Sequence, residues 1–153
     1  MSTEPMERLD SPEPPLAERP VVLFCEAYDG IREGLRLVLG DHFQVTAVCQ
    51  IDALWPLLQK TTPDLLLIDV DDQPTARAYE VLPELRRVCP STPVLLLARA
   101  FSLQEQERAL QRVGNVGFLT KPWSNELLVE KAWTLIRGYS TSPIRRRVVR
   151  IAS

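Results

Sequence analysis

Residues 63–70 read PDLLLIDV, from Pro63 to Val70. Within them DLLLID, Asp64 to Asp69, is an apolar run too short for a buried helix, and proline and aspartate punctuate it. Such a run fits a strand buried on both faces, which implies a parallel sheet covered by helices. Three other runs are built alike: VVLFCE (Val21 to Glu26), PVLLLA (Pro93 to Ala98) and VGFLTKP (Val116 to Pro122). Ligands of parallel sheets bind outside the carboxyl ends of the strands. Here those ends carry Glu26, Asp69, Ala98 and Lys121.

Helical patterns alternate with these runs. Ile31, Leu35 and Val38 recur at i, i+4 and i+7, and Gly40 ends that helix. Phe43, Val45, Ala47 and Cys49 alternate with polar residues, as in a half-covered strand. Asp52 is placed to cap a short helix through Lys60, with Pro56 in its first turn. A third helix is expected over about Ala76 to Val88, with Pro83 as a kink or irregular start. Ser102 and Glu105 form a capping-box pattern for the fourth helix. Ser124 starts the last helix, which is expected to end before Gly138. The result is α/β: a flavodoxin-like, doubly wound (βα)5 unit with a five-stranded parallel sheet in the order 2-1-3-4-5.

The chain has 153 residues and a net charge of −2. Residues 1–20 are rich in proline and acid, so they read as a disordered tail before a domain at 21–137. Residues 138–153 read as a basic tail carrying Arg145, Arg146, Arg147 and Arg150. The segment between the tails is acidic, which argues against a nucleic-acid face. No apolar stretch reaches membrane-span length and no signal peptide is evident, so a cytoplasmic protein is expected. Cys25, Cys49 and Cys89 lie beside apolar residues without metal-site spacing, and read as three small buried hydrophobes. The single histidine, His42, reads as a surface residue.

Two carboxylates at adjacent strand ends can hold a hard cation such as Mg²⁺. A nearby lysine can pair with a carboxylate or a phosphoryl group. Aspartate can itself be the nucleophile in phosphoryl transfer. From spacing alone, a plain ion pair between Asp69 and Lys121 and such a phosphoryl site are both open.

From Val21 to about Arg137 the chain resembles the receiver domain of bacterial two-component response regulators. IREGLR in the first helix, PDLLLIDV, PVLLLA and FLTKPW match that family's pattern in order and spacing. The resemblance implies that Asp69 is the phosphoacceptor and that Lys121 contacts its phosphoryl group. It implies a cis bond between Lys121 and Pro122, and puts Phe118 in the place of the aromatic switch residue. Glu26 takes the first place of an acidic pair that helps hold Mg²⁺ with Asp69, and Asp71 lies where a backbone carbonyl meets the metal. A histidine kinase or phosphotransfer protein and a downstream protein partner are then expected, with no catalysis beyond the chemistry at Asp69.

Three positions depart from the pattern. The second acid of the pair falls on Ala27; a one-residue gap would instead pair Cys25 with Glu26, and one acid remains either way. The switch hydroxyl falls on Ala98, which has none. The loop after Asp69 reads VDDQP, with its proline one residue late. Asp71 and Asp72 either restore charge near the metal or are solvated loop acids. The expectation is therefore a stand-alone receiver without a DNA-binding domain. Its alternative is a pseudo-receiver that binds partners without phosphorylation.

A flavin or dinucleotide protein of the same fold would want a Ser/Thr/Gly-rich loop or GxGxxG after the first strand, where this chain has CEAYDG. On the last helix the apolar arc is wider than sheet packing requires. Leu128, Ala132 and Leu135 are expected to face the sheet. Val129 and Trp133 fall at the rim, toward the fourth helix or solvent. There they either pack under a neighbour or form a docking surface, such as a homodimer through helix 4, strand 5 and helix 5.

Overall fold

The run ending at Asp69 becomes the central strand, and all five of its residues are buried. The structure is a computed structural model that describes residues 14–71 and 77–140. The strands are β1 (Val21–Cys25), β2 (Gln44–Val48), β3 (Leu65–Asp69), β4 (Val94–Ala98) and β5 (Val116–Thr120). The helices between and after them are α1 (Asp29–Gly40), α2 (Leu54–Leu58), α3 in two segments (Arg77–Glu80 and Leu82–Val88), α4 (Leu103–Arg112) and α5 (Asn125–Ser140). The strands form one sheet in the order β2-β1-β3-β4-β5, and every pair is parallel.

Because side chains alternate along a strand, the apolar runs feed two cores. Leu23, Cys25, Leu66, Ile68 and Leu96 pack toward α2, α3 and α4. Val22, Phe24, Leu67, Leu97 and Leu119 pack toward α1 and α5. Burying a leucine side chain contributes about 1.5–3 kcal/mol, so these runs dominate the fold. Gly117 on β5 admits α5: a Cβ there would stand 2.9 Å from Cδ1 of Leu135. Leu128, Ala132 and Ile136 of the same helix are buried, while Leu135 is half-buried.

Several local expectations hold. Ser102 caps α4 with a complete capping box: Glu105 N–H donates to its hydroxyl, and Ser102 N–H donates to the Glu105 carboxylate. The hydroxyl of Ser124 accepts from Leu127 N–H at 3.0 Å at the head of α5. Pro83 sits in the first turn of the second segment of α3, after a break at Val81.

Others are corrected. Asp52 does not stand at the head of α2: it lies within a 3-10 turn over Ile51–Ala53, and Ala53 takes the N-cap position of the helix. Ile31 is exposed, and the buried stripe of α1 runs through Leu35 and Leu39. Gly138 does not end α5, since only Gly114 among the described glycines adopts positive φ. Cys25 and Cys89 are buried, but Cys49 is exposed. His42 is half-buried, with its ring 6.1 Å from that of Phe43. Residues 14–20 are folded onto the domain: Arg19 donates to the carbonyls of Pro14 and Gly40, and Gln44 Nε2 donates to Arg19 O at 2.7 Å. The acidic segment before residue 14, the start of the third helix at Ala76, Asp72 and the basic segment after residue 140 lie outside the described residues.

Candidate functional site

The register carries the chain ends to one place. Cys25 pairs with Ile68 and Asp69 with Leu97, so Glu26 and Asp69 leave neighbouring strands side by side. The ladder continues past the strands: Glu26 N–H donates to Val48 O at 3.0 Å, Val70 N–H to Leu97 O at 2.9 Å and Lys121 N–H to Ala98 O at 2.8 Å. These bonds fix the backbone from which each functional side chain springs. The Lys121–Pro122 peptide is cis, as the resemblance implies.

Glu26 and Asp69 have no exposed surface. Glu26 Oε2 accepts from Tyr28 N–H at 3.0 Å. Asp69 Oδ1 accepts from Asp71 N–H at 2.9 Å. Its Oδ2 lies 2.6 Å from Lys121 Nζ. The same ammonium lies 3.2 Å from Asp71 Oδ2. Burial alone would lower the Lys121 pKa, but the carboxylates of Asp69 and Asp71 more than reverse this and hold it above the ordinary lysine value. Burial, reinforced by the Glu26 charge, pushes the Cys25 thiol up to about 12.

Ala98 ends β4 with 1% exposure and presents only a methyl group. Phe118 is half-buried and stands edge-on to Phe101, with ring centroids 5.1 Å apart. Ala27 is half-buried in the loop after β1. Among the described residues, no group of three or more His, Cys, Asp or Glu side chains gathers around a common point. Glu26 and Asp69 with the Asp71 carbonyl are nonetheless an all-oxygen donor set, which suits Mg²⁺ that keeps most of its waters.

Three features escaped the sequence reading. Arg32 reaches back from α1 and donates to the carbonyls of Glu26 at 2.9 Å and Ala27 at 3.2 Å, pinning the loop. Its i, i+3 pairing with Asp29 was the available signal. Arg99 N–H donates to Asp71 Oδ2 at 2.9 Å, so Asp71 acts through its side chain as well as its backbone. A cavity of about 510 Å³ opens beside Lys121, walled by Tyr28, Ile31, Arg99 and Pro122. Exposed Ile31 belongs to that wall rather than to the core.

Trp133 is corrected in place. It lies not toward α4 but against Phe43 in the turn after α1, with ring centroids 4.9 Å apart. The Arg137 guanidinium covers it at 5.1 Å from the ring centroid. Val129 is half-buried on the same helix.

Buried acids at the ends of β1 and β3, with a lysine bridging from the end of β5, are an arrangement that can support phosphoryl chemistry on a carboxylate. Residues 22–132 match the family model described as the response regulator receiver domain. No curated protein matches the chain. Among solved structures, the chemotaxis response regulator CheY4 of Vibrio cholerae is similar at a TM-score of 0.67 and 23% identity, covering 76% of this chain and 98% of that one. A two-component response regulator from Clostridium difficile is similar at 0.69 and 16% identity, covering 80% and 100%. One from Thermotoga maritima is similar at 0.68 and 18% identity, covering 77% and 98%.

Proposed function

We propose a role that proceeds from the family: this chain belongs to the response regulator receiver domain family, and Asp69 is the residue on which it accepts a phosphoryl group. The donor is a histidine kinase or a phosphotransfer protein, and the domain then acts in two-component signalling through protein–protein contacts. One observation carries the reading: a carboxylate with no exposed surface ends the central strand 2.6 Å from a lysine ammonium.

The chemistry follows from that placement. The Asp69 carboxylate attacks the phosphorus while Lys121 neutralises charge on the transferring oxygens. Glu26, Asp69 and the Asp71 carbonyl would hold Mg²⁺, which, when bound, screens the dianion that the buried acids would otherwise repel. The cavity beside Lys121 gives the donor group its approach. No turnover is proposed beyond phosphorylation and dephosphorylation at Asp69. Partner contacts have exposed apolar side chains to meet: Leu103 and Leu110, seven apart on α4, and Leu127 on α5. No helix among the described residues is long and apolar enough to cross a membrane.

A second reading is favoured by Ala98. With a methyl group where a hydroxyl would follow the phosphoryl oxygen, the domain would bind its partners in one state, as a pseudo-receiver. Intact-mass measurement after incubation with acetyl phosphate and Mg²⁺, beside Asp69→Ala, separates the two. The first reading expects one phosphoryl group on the wild-type chain and none on the variant. An unmodified wild-type chain would favour the second.

A further inference from the structure

β2 forms one edge of the sheet, and its outer side has no strand partner among the described residues. Natural sheets guard such an edge with lysine, proline or a bulge. Here residues 43–50 read FQVTAVCQ, without charge, proline or glycine. The bonds inside the sheet fix which backbone groups point outward. Gln44 N–H donates to Pro20 O at 2.8 Å, and Val48 O accepts from Glu26 N–H at 3.0 Å. Gln44, Thr46 and Val48 therefore turn their amides toward β1, while Val45 and Ala47 turn theirs away from it.

Two copies of this edge fit each other. Run antiparallel about a two-fold axis at Thr46, they set Val45 of one copy opposite Ala47 of the other. The outward N–H and C=O groups of those residues then pair in both directions. A slip of one residue would set outward amides against inward ones, so the register is fixed. Thr46 is exposed and meets its own copy across the axis, a cross-strand pair that favours a sheet. The axis stands perpendicular to the sheet, so α1 of each copy lies on the same face and the two helices run antiparallel. Arg36 of α1 walls a cavity of about 520 Å³ that follows Gln44, Val45 and Thr46. Its Nε lies 3.0 Å from Glu33 Oε1, one turn back along the helix. The two-fold turns Arg36 of one copy toward Glu33 of the other, so the charges across the axis are complementary. Leu16, 59% exposed, walls the same cavity and adds apolar surface.

We infer that β2 is a self-association edge, on which a second copy of this chain continues the sheet by antiparallel strand pairing. This surface is separate from the site at Asp69 and from helix 4, strand 5 and helix 5. The occupant is a second copy because the amide pattern and the Glu33–Arg36 charges both repeat correctly under a two-fold axis. An unrelated strand would use the amides alone. A short strand pair with one helical flank lies at the small end of specific interfaces, so the dimer forms and dissociates with concentration.

Sedimentation equilibrium of the full chain, beside Thr46→Lys and Ala47→Pro, tests the inference. Thr46→Lys sets like charges opposite each other on the axis, from a position that is exposed in the single chain. Ala47→Pro removes an N–H that points out of the sheet, which an edge strand tolerates. The wild-type chain is expected to dimerise, and its dissociation constant to rise at least about tenfold in each variant with the circular dichroism of the fold unchanged. If one variant fails to fold, the other decides. A wild-type chain that stays monomeric up to its solubility limit overturns the inference and leaves the edge to a strand of another protein. A dimer that survives in the folded variants overturns it too. The register has its own readout. Thr46→Cys with Cys49→Ser should cross-link the dimer under oxidised glutathione, because the two copies of position 46 face each other at disulfide range. The exposed Cys49 of the wild-type chain should not, since its two copies stand at opposite ends of the strand pair. Cross-linking through Cys49 and none through position 46 would overturn the inference.

Discussion

Lys121 extends from the end of β5, two strands away in the sheet, to place its ammonium 2.6 Å from Oδ2 of Asp69. The lysine side chain is 21% exposed and the aspartate wholly buried. An unpaired charge at that depth costs several kcal/mol. The lysine therefore makes a carboxylate tolerable at that depth. Glu26, equally buried on the neighbouring strand, is the like charge that a metal would offset.

On the proposed reading the acidic pair is short of one member, so Mg²⁺ should bind weakly. Ala27 is half-buried beside Glu26, and Arg32 fixes its carbonyl. Ala27→Asp should tighten Mg²⁺ binding at least tenfold, or ~1.4 kcal/mol. Titration calorimetry giving equal affinities would refute this.

The switch is the second expected weakness. Buried Ala98 has no side-chain hydroxyl to offer a phosphoryl oxygen, so on the proposed reading phosphorylation would bias the position of Phe118 little. Beryllofluoride should shift resonances near Asp69 only, while in Ala98→Ser the shifts should extend to Phe118 and Phe101. Shifts that already reach Phe118 in the wild-type chain would contradict the account.

The cysteines should differ in reactivity. The Cys25 thiol, raised to about 12 chiefly by burial, stays protonated near neutral pH, and burial likewise raises Cys89. Iodoacetamide at mildly alkaline pH should add one group to the native chain and none to Cys49→Ser. The same shift carries a sign for stability. Between 9.0 and about 12 the folded chain keeps a proton on Cys25 that the unfolded chain has released. Stability from this group is therefore full below pH 9.0 and declines as pH rises toward 12. Cys25→Ala should lose that alkaline slope in urea titrations, and an unchanged slope would count against it.

Trp133 is half-buried and packs against the core through Phe43, so its truncation should act first on stability. Sandwiched between Phe43 and Arg137, its truncation should cost roughly 2–4 kcal/mol, somewhat below a fully buried tryptophan. Urea unfolding measures that loss, and sedimentation should show an unchanged oligomeric state. A stable Trp133→Ala that alters self-association would restore the docking role.

The sheet was legible because its signals are local and strong. DLLLID and PVLLLA have no polar alternation, so only a doubly covered strand suits them, and the strand order follows from repeated crossovers. Ser102 was legible for the same reason, as its capping partner lies three residues away. Asp69, Lys121 and Glu26 could be placed because each ends a run. What failed depends on neighbours that the local sequence does not name. Helical periodicity gave Trp133 its angle on α5 but not its partner Phe43, which is ninety residues earlier in the chain. Ile31 repeats in phase with Leu35, yet it lies beyond the sheet's end and walls the cavity instead. Asp71 and Arg99 meet only because β3 and β4 end together.

The central claim is that a phosphoryl group resides on Asp69, and locating it chemically is the most direct test. Borohydride reduces an aspartyl phosphate to homoserine. After treatment with acetyl phosphate and Mg²⁺, then borohydride, peptide sequencing by mass spectrometry should find homoserine at position 69 and at no other aspartate. An intact Asp69, or homoserine at Asp71 instead, would contradict the account.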